Sequence, residues 1–391
     1  MKVEFFKHNI GKEEIERVTK VLDSIFLTTG DVVKEFEDNL AKYLGCKHTI
    51  GVTSCTGAMH LSLLAYGIGQ GDEVITTPMT FIATATSILH SGATPAFVDV
   101  DPETGNINPN KIEEFISNCK IDPKTNQLIN QSTNNRIKAI MPVHLYGHMC
   151  DMRRMRSIAD RYGLIIIEDS AHCIEGERDG IKPGQLGGTA CFSFYATKNI
   201  TSGEGGAIVT NNDEIATQLR LLRLHGMSRN AVDRYTGKYQ HWDMELLGWK
   251  YNMDNIHAAL LIDQLELIEK RWRRREEICK RYEDFFGNLE GIDFPKVLPN
   301  TKSARHLFTI WVAPERRDQM LWKLQDYGIG VAVNFRAIHL LKYFRETYRF
   351  KRGMFPVAEK IGDSTISLPT YPNLTDEELE YIIDVINTTI L

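Results

Sequence analysis

The sequence predicts an α/β protein with a seven-stranded, mainly parallel sheet in a large domain and a smaller α+β domain at the C-terminal end. Three observations predict it. Short β-rich runs alternate with helix-like segments over the first two-thirds of the 391 residues, a pattern that requires crossover connections. The chain is too long for one compact core. After residue 254 the alternation gives way to a long amphipathic helix pattern and then mixed elements, which sets the expected division at 1–254 and 255–391.

Strands are expected at 48–53, 73–77, 95–100, 137–143, 164–168, 190–194 and 207–210, where β-branched and apolar residues cluster between turn formers. Helical spacing of apolar residues marks 58–66, 81–89, 112–119 and 152–162 between them. The Asn-rich stretch 120–135 lacks the apolar content of a core element and reads as an exposed loop. One helix is expected over 255–286, running into KRWRRREE, which reads as a solvated face. Beyond Gly291, HLFTIWV reads as a strand, 320–327 as a helix, and a terminal helix starts at Thr375.

Composition excludes several classes of function. Lys+Arg 46 against Asp+Glu 51 leaves a net charge of −5, so no chain-wide positive field exists to hold a nucleic acid. The opening MKVEFFKHNIGKEE has no apolar core of the kind that a secretory signal needs, and no run approaches the 18 apolar residues of a membrane span. Seven cysteines, an odd number with no CxxC pair, fit reduced thiols in a cytoplasmic protein and point to neither a metal site nor a disulfide framework.

Three segments carry chemistry. HTIGVTSCTGAMHLSLL reads as strand, tight turn and helix, and free N–H groups at the helix start make a seat for a phosphate, with the Thr56 hydroxyl as an extra donor. An ordinary N-capped helix explains that segment equally well. LIIIEDSAH puts Glu168 and Asp169 at the carboxyl end of a buried strand, the edge where open α/β sheets bind ligands, or where Asp169 merely caps a turn. CFSFYATKNITSGEGGAIVT brings Lys198 to the same edge, with Gly203, Gly205 and Gly206 allowing a sharp return. One lysine, one carboxylate and a phosphate seat form the set of groups that pyridoxal phosphate requires: an amine to bind its aldehyde and a carboxylate to keep its ring nitrogen protonated.

The ordered set TTGDVVKEFE, TSCTGAMH, TTPMTFIATA, VDVDPETGNI, VHLYGH, IIEDSAH, FSFYATKNITSGEGG, LRLHGM, YNMDNIHAAL and SLPTYP resembles the DegT/StrS-type sugar aminotransferases, fold-type I pyridoxal phosphate enzymes. The resemblance implies that Lys198 binds the cofactor covalently and moves the catalytic proton, and that Asp169 pairs with the pyridine nitrogen. It also implies that Thr56, Gly57 and Ser193 hold the phosphate, with Asn252 reaching in from the other subunit of a homodimer that shares its active sites. Phe81 would lie on the ring face. His172 would order the Asp169 side of the site, or else be a satisfied core histidine. Thr29, Gly30, Arg336 and His339 are candidate substrate contacts, although Arg336 beside Phe335 also suits a stem covering apolar surface. Cys55 stands where the family more often has Ala or Gly, and reads as a packing residue. The resemblance further implies L-glutamate as donor and a keto nucleotide sugar as acceptor. KNITSGEGG resembles the members acting at C4 of a 4-keto-6-deoxy sugar, with C3-acting and keto-cyclitol enzymes, or a non-catalytic binding protein on the same fold, as the alternatives.

Overall fold

The structure is a computed structural model and describes residues 1–228 and 241–390. Two helices lead in, α1 (Lys12–Leu22) and α2 (Asp31–Leu44), followed by β1 (His48–Val52), α3 (Cys55–Ala65), β2 (Asp72–Thr76), α4 (Ile82–His90), β3 (Thr94–Phe97) and α5 (Pro109–Ser117). Next come β4 (Cys119–Ile121), β5 (Leu128–Asn130), β6 (Arg136–Ile140), α6 (Met152–Tyr162), β7 (Ile165–Asp169), β8 (Thr189–Ser193), β9 (Gly206–Thr210) and α7 (Asp213–Leu222). The C-terminal part holds α8 (Asn255–Glu266), α9 (Ile268–Phe286), β10 (Ile292–Asp293), β11 (Phe308–Val312), α10 (Pro314–Asp326), α11 (Lys342–Tyr348), α12 (Pro356–Ser364), β12 (Thr365–Leu368) and α13 (Asp376–Ile390).

All seven expected strands of the large sheet are present, in the order β1-β9-β8-β7-β6-β2-β3. β9 alone runs antiparallel to its neighbours in that series. Successive side chains face opposite sides of the sheet. Thus Cys191 and Ile208 pack with α3 residues Met59 and Leu61, while Ala190, Phe192, Ala207 and Val209 pack with Phe36 and Leu40 of α2. The sheet is therefore buried on both faces, as parallel sheets are. Tight exits keep the crossovers short: α6 stops at Gly163, whose φ of 65° only glycine adopts freely, and β7 starts two residues later.

Three expectations are corrected. The 120–135 stretch is not a loop but contributes the β4–β5 hairpin at the sheet's margin. It is secured by buried Leu128 and Ile129 and by the Asn130 and Asn135 amides, which donate to Glu73 at 2.8 and 3.2 Å. The single helix over 255–286 is two helices meeting at Leu267. Ala258, Leu261, Ile262 and Leu265 of α8 join the α2 side of the large core, whereas Ile278, Tyr282 and Phe286 of α9 join the core built on β11, β12 and α13. Finally, KRWRRREE is only partly solvated. Arg275 is 1% exposed and ion-paired to Glu175, which is itself fully buried, and Trp272 donates to the Ser303 carbonyl at 2.7 Å.

Candidate active site

The carboxyl ends of β1, β7 and β8 open onto one cavity of about 530 Å³, lined among others by Ser54, Cys55, Thr56, Phe81, Asp169, His172, Ser193 and Lys198. Its volume suits a drug-sized ligand. The chain's period-2 geometry decides which carboxylate of β7 faces it. Glu168 points the other way, where its side chain accepts from Gly184 N–H at 3.0 Å and meets His144 Nε2 at 2.8 Å. Asp169 points into the cavity and is 5% exposed. Burial raises its pKa above the usual carboxylate range, opposed by hydrogen bonds from Thr84 and Ala171 and by the charge of Lys198. Such a carboxylate is completed by a cationic N–H.

Lys198 sits in the hairpin between β8 and β9, its N–H bonded to the Tyr195 carbonyl at 2.9 Å. Desolvation pushes its pKa down from 10.5 to about 8, with Cys55 and Asp169 pulling the other way. Roughly a tenth of the amine is therefore free at pH 7, far more than for an ordinary lysine, and this is the form that attacks a carbonyl.

At the phosphate turn, Ser54 caps α3, and its Oγ accepts from the Gly57 N–H at 3.0 Å. The first-turn N–H groups of Cys55 and Thr56 have no intrahelical acceptor and carry the positive end of the helix dipole. This revises the expectation for Gly57, whose N–H is committed to the cap and which does not line the cavity. The start of β9 presses on this turn, since a Cβ at Gly206 would lie 2.4 Å from the Ser54 carbonyl carbon. Lysine, carboxylate, anion seat and absent side chains together fit pyridoxal phosphate.

Phe81 is 55% exposed at the cavity wall, 5.7 Å from the Phe335 ring. His172 stacks on Phe335 at 5.8 Å and 22°, lies 4.4 Å from the His306 ring, and accepts the Tyr146 N–H on Nδ1 at 3.3 Å. Burial and the nearby Lys198 hold its pKa well below 6.5, so it is neutral and carries its proton on Nε2.

The remaining candidates lie elsewhere. Thr29 and Gly30 line a separate recess with Glu37, His48 and Arg223, and Asn252 donates to Thr29 Oγ1 at 2.7 Å rather than lining its own chain's cavity. Arg336 is exposed on a basic recess with Arg345, Arg349, Lys351 and Arg352, one residue beyond Phe335 of the cavity wall. His339 is corrected: it is fully buried, bonded to Glu359 Oε1 at 3.0 Å and packed edge-on to Phe355. It therefore buttresses the segment and does not line the cavity.

Sequence reasoning missed Thr84, His306 and Asn334. His306 lines the cavity, its Nδ1 3.0 Å from Asn199 Oδ1, yet in sequence it is only the residue that opens a strand-like run. Asn334 also lines the cavity, and its buried Oδ1 has no hydrogen-bond partner. Among the described residues no group of three or more His, Cys, Asp or Glu is placed to hold a metal ion, and no helix is long and apolar enough to cross a membrane.

Residues 8–387 match the model of the DegT/DnrJ/EryC1/StrS aminotransferase family. The chain is 39% identical over 383 residues to the spore coat polysaccharide biosynthesis protein SpsC of Bacillus subtilis, covering 96% of this chain and 94% of that one. Two solved structures are similar at 28% identity. One is a putative sugar aminotransferase of Streptococcus pneumoniae in its PMP form, with TM-score 0.89 and 99% of both chains covered. The other is PseC of Helicobacter pylori, an aminotransferase involved in the biosynthesis of pseudoaminic acid, with TM-score 0.88 and coverage of 100% of this chain and 99% of that one.

Proposed function

From the premise that this chain belongs to the DegT/DnrJ/EryC1/StrS aminotransferase family, and is thus a pyridoxal phosphate-dependent sugar aminotransferase, we propose that it moves an amino group from L-glutamate to a nucleotide-linked keto sugar. The acceptor carbon in this reading is C4 of a 4-keto-6-deoxy sugar, and the product is an amino sugar for a surface glycan. The observation that carries the nucleotide-linked acceptor is the recess beside the cavity wall in which Arg336, Arg345, Arg349 and Lys351 gather, with Arg352 ion-paired to Asp363 at its edge. A neutral cyclitol has no use for that charge, whereas a diphosphate does.

When bound, the cofactor supplies an electron sink that makes the hydrogen on the amine-bearing carbon acidic. The chain's residues do the rest. Asp169 would accept the ring N–H and keep the ring nitrogen protonated. The first turn of α3, Thr56 and Ser193 would hold the phosphate, and Phe81 would cover one ring face. Lys198 Nζ takes the proton from the donor's α-carbon and delivers a proton to the acceptor's carbonyl carbon. His172 and His306, held neutral by burial and by Lys198, offer polar contacts without adding positive charge that would further depress the amine.

The reading extends to a cytoplasmic homodimer of shared sites, which the clustering of Asn252 with Thr29 away from the same chain's cavity supports, and to a large domain over 1–254, against which α8 also packs, with a smaller one after it. Incubating the holoenzyme with glutamate and 4-keto-6-deoxy nucleotide sugars generated in place by a 4,6-dehydratase tests the substrate. A mass gain consistent with amination at C4 is expected. Replacing Arg345 and Arg349 with Gln is expected to raise KM for the nucleotide sugar at least tenfold with kcat within about threefold, and to flatten the salt dependence of KM. Turnover of a keto-cyclitol but of no nucleotide sugar would overturn the reading.

A further inference from the structure

Asp169 lines the cavity and is only 5% exposed, so its charge depends largely on the donors around it. Oδ1 accepts the Ala171 N–H at 3.2 Å. Oδ2 accepts the hydroxyl of Thr84 at 2.7 Å. Thr84 is fully buried, and its oxygen lies 2.7 Å from Thr80 Oγ1, on a residue that is 1% exposed and lines the cavity.

Proton counting gives this chain a direction. An ionised carboxylate only accepts, so the single proton of Thr84 is committed to Asp169. The Thr84 oxygen is then an acceptor toward Thr80, which must donate. The polarity runs from Thr80 to Thr84 to Asp169, and each bond strengthens the next. Thr84 lies in the first turn of α4, which is N-capped by Phe81, so the helix that supplies the proposed ring-face wall also supports the carboxylate. The burial that raises the Asp169 pKa is opposed first by this Thr84 bond.

We propose that Thr84, backed by Thr80, is a positioning residue that holds Asp169 ionised and aimed at the ring nitrogen of the cofactor. Thr84 touches neither substrate nor reacting atoms and acts entirely through the carboxylate. The inference depends on the cofactor alone and is independent of which sugar, nucleotide or amino donor is used.

Two readouts that do not involve turnover test it. In apoprotein with ¹³C-labelled aspartate carboxyls, Thr84→Val is expected to raise the Asp169 titration midpoint by about one pH unit, because valine keeps the shape of threonine and deletes its hydroxyl. Its Kd for pyridoxal phosphate, followed by the absorbance of the bound cofactor, is expected to rise about tenfold or more, the cost of one hydrogen bond to a charged group. Thr84→Ser, which restores the hydroxyl, is expected to stay within about threefold of the wild type in Kd and to keep its midpoint. In an Asp169→Asn background, Thr84→Val is expected to cost nothing further. A Thr84→Val protein with wild-type midpoint and affinity overturns the proposal. So does a Ser variant as impaired as the Val variant, or a full additional loss in the Asn background. Should Thr84→Val not fold, Thr80→Val carries the test: a Kd raised about threefold sustains the relay, and an unchanged Kd and midpoint overturn it.

Discussion

Lys198 carries two opposing electrostatic demands. It must be desolvated enough to lose its proton near neutrality, yet near enough to Asp169 to be steered. Its folded pKa of about 8 lies below the ordinary 10.5, so between those values the unfolded chain binds more protons than the folded one, and stability rises with pH across that window. Below pH 8 the native state bears the full desolvation cost, at most about 3 kcal/mol. The melting temperature of the apoprotein relative to Lys198→Ala is therefore expected to climb from pH 7.5 to 10 as that cost is relieved. The rate at which apoprotein takes up pyridoxal phosphate should follow the free-amine fraction, half-maximal near pH 8, and Lys198→Ala should remain folded with no transamination. An uptake rate that still climbs about tenfold per pH unit between pH 8.5 and 9.5, read by absorbance, would show that the amine is not desolvated.

At the scale of elements, the two helices meeting at Leu267 divide the work that one periodic pattern concealed. Arg275 lies within the basic run on α9, but it reaches Glu175, and Glu175 in turn accepts from the Asn199 amide at 2.7 Å beside Lys198. Removing one partner of such a pair strands the other charge, so Arg275→Ala is expected to cost about 3–5 kcal/mol in a denaturant melt. Exposed Arg273→Ala should cost less than about 0.5 kcal/mol. Sequence made the seven strands legible because each is a short apolar run bounded by turn formers. It made Lys198 and Asp169 legible because Asp169 ends an apolar strand and Lys198 stands in the small-residue turn between two such strands. Four kinds of feature stayed hidden. The β4–β5 hairpin rests on two apolar residues and on asparagine bonds to a distant glutamate. Arg275 looks like its exposed neighbours. His306 enters the cavity only through tertiary placement, and Thr84 matters only for the carboxylate 85 residues away.

For the whole molecule, the separation of Asn252 from its own chain's cavity makes subunit sharing testable. Mixing Lys198→Ala with Asn252→Ala subunits creates hybrids in which one site of two is wholly native. At cofactor concentrations that leave the Asn252→Ala homodimer empty, the mixture is expected to regain activity, approaching one quarter of wild type when subunits redistribute evenly. A mixture as inactive as its parents would argue for sites built from single chains.

The antiparallel return of β9 beside β8 has a consequence for how this architecture diversifies. It closes the lysine-bearing connection at both ends within the large sheet, so the reactive amine is fixed by the most deeply packed part of the chain. The opposite wall, with His306, Asn334 and Phe335, and the arginines just beyond it belong to the C-terminal part. On the proposed reading, chemistry and choice of acceptor would draw on different stretches of the chain, and a change of sugar preference is expected to map mainly to residues between about 303 and 352, with the lysine-bearing hairpin unaltered.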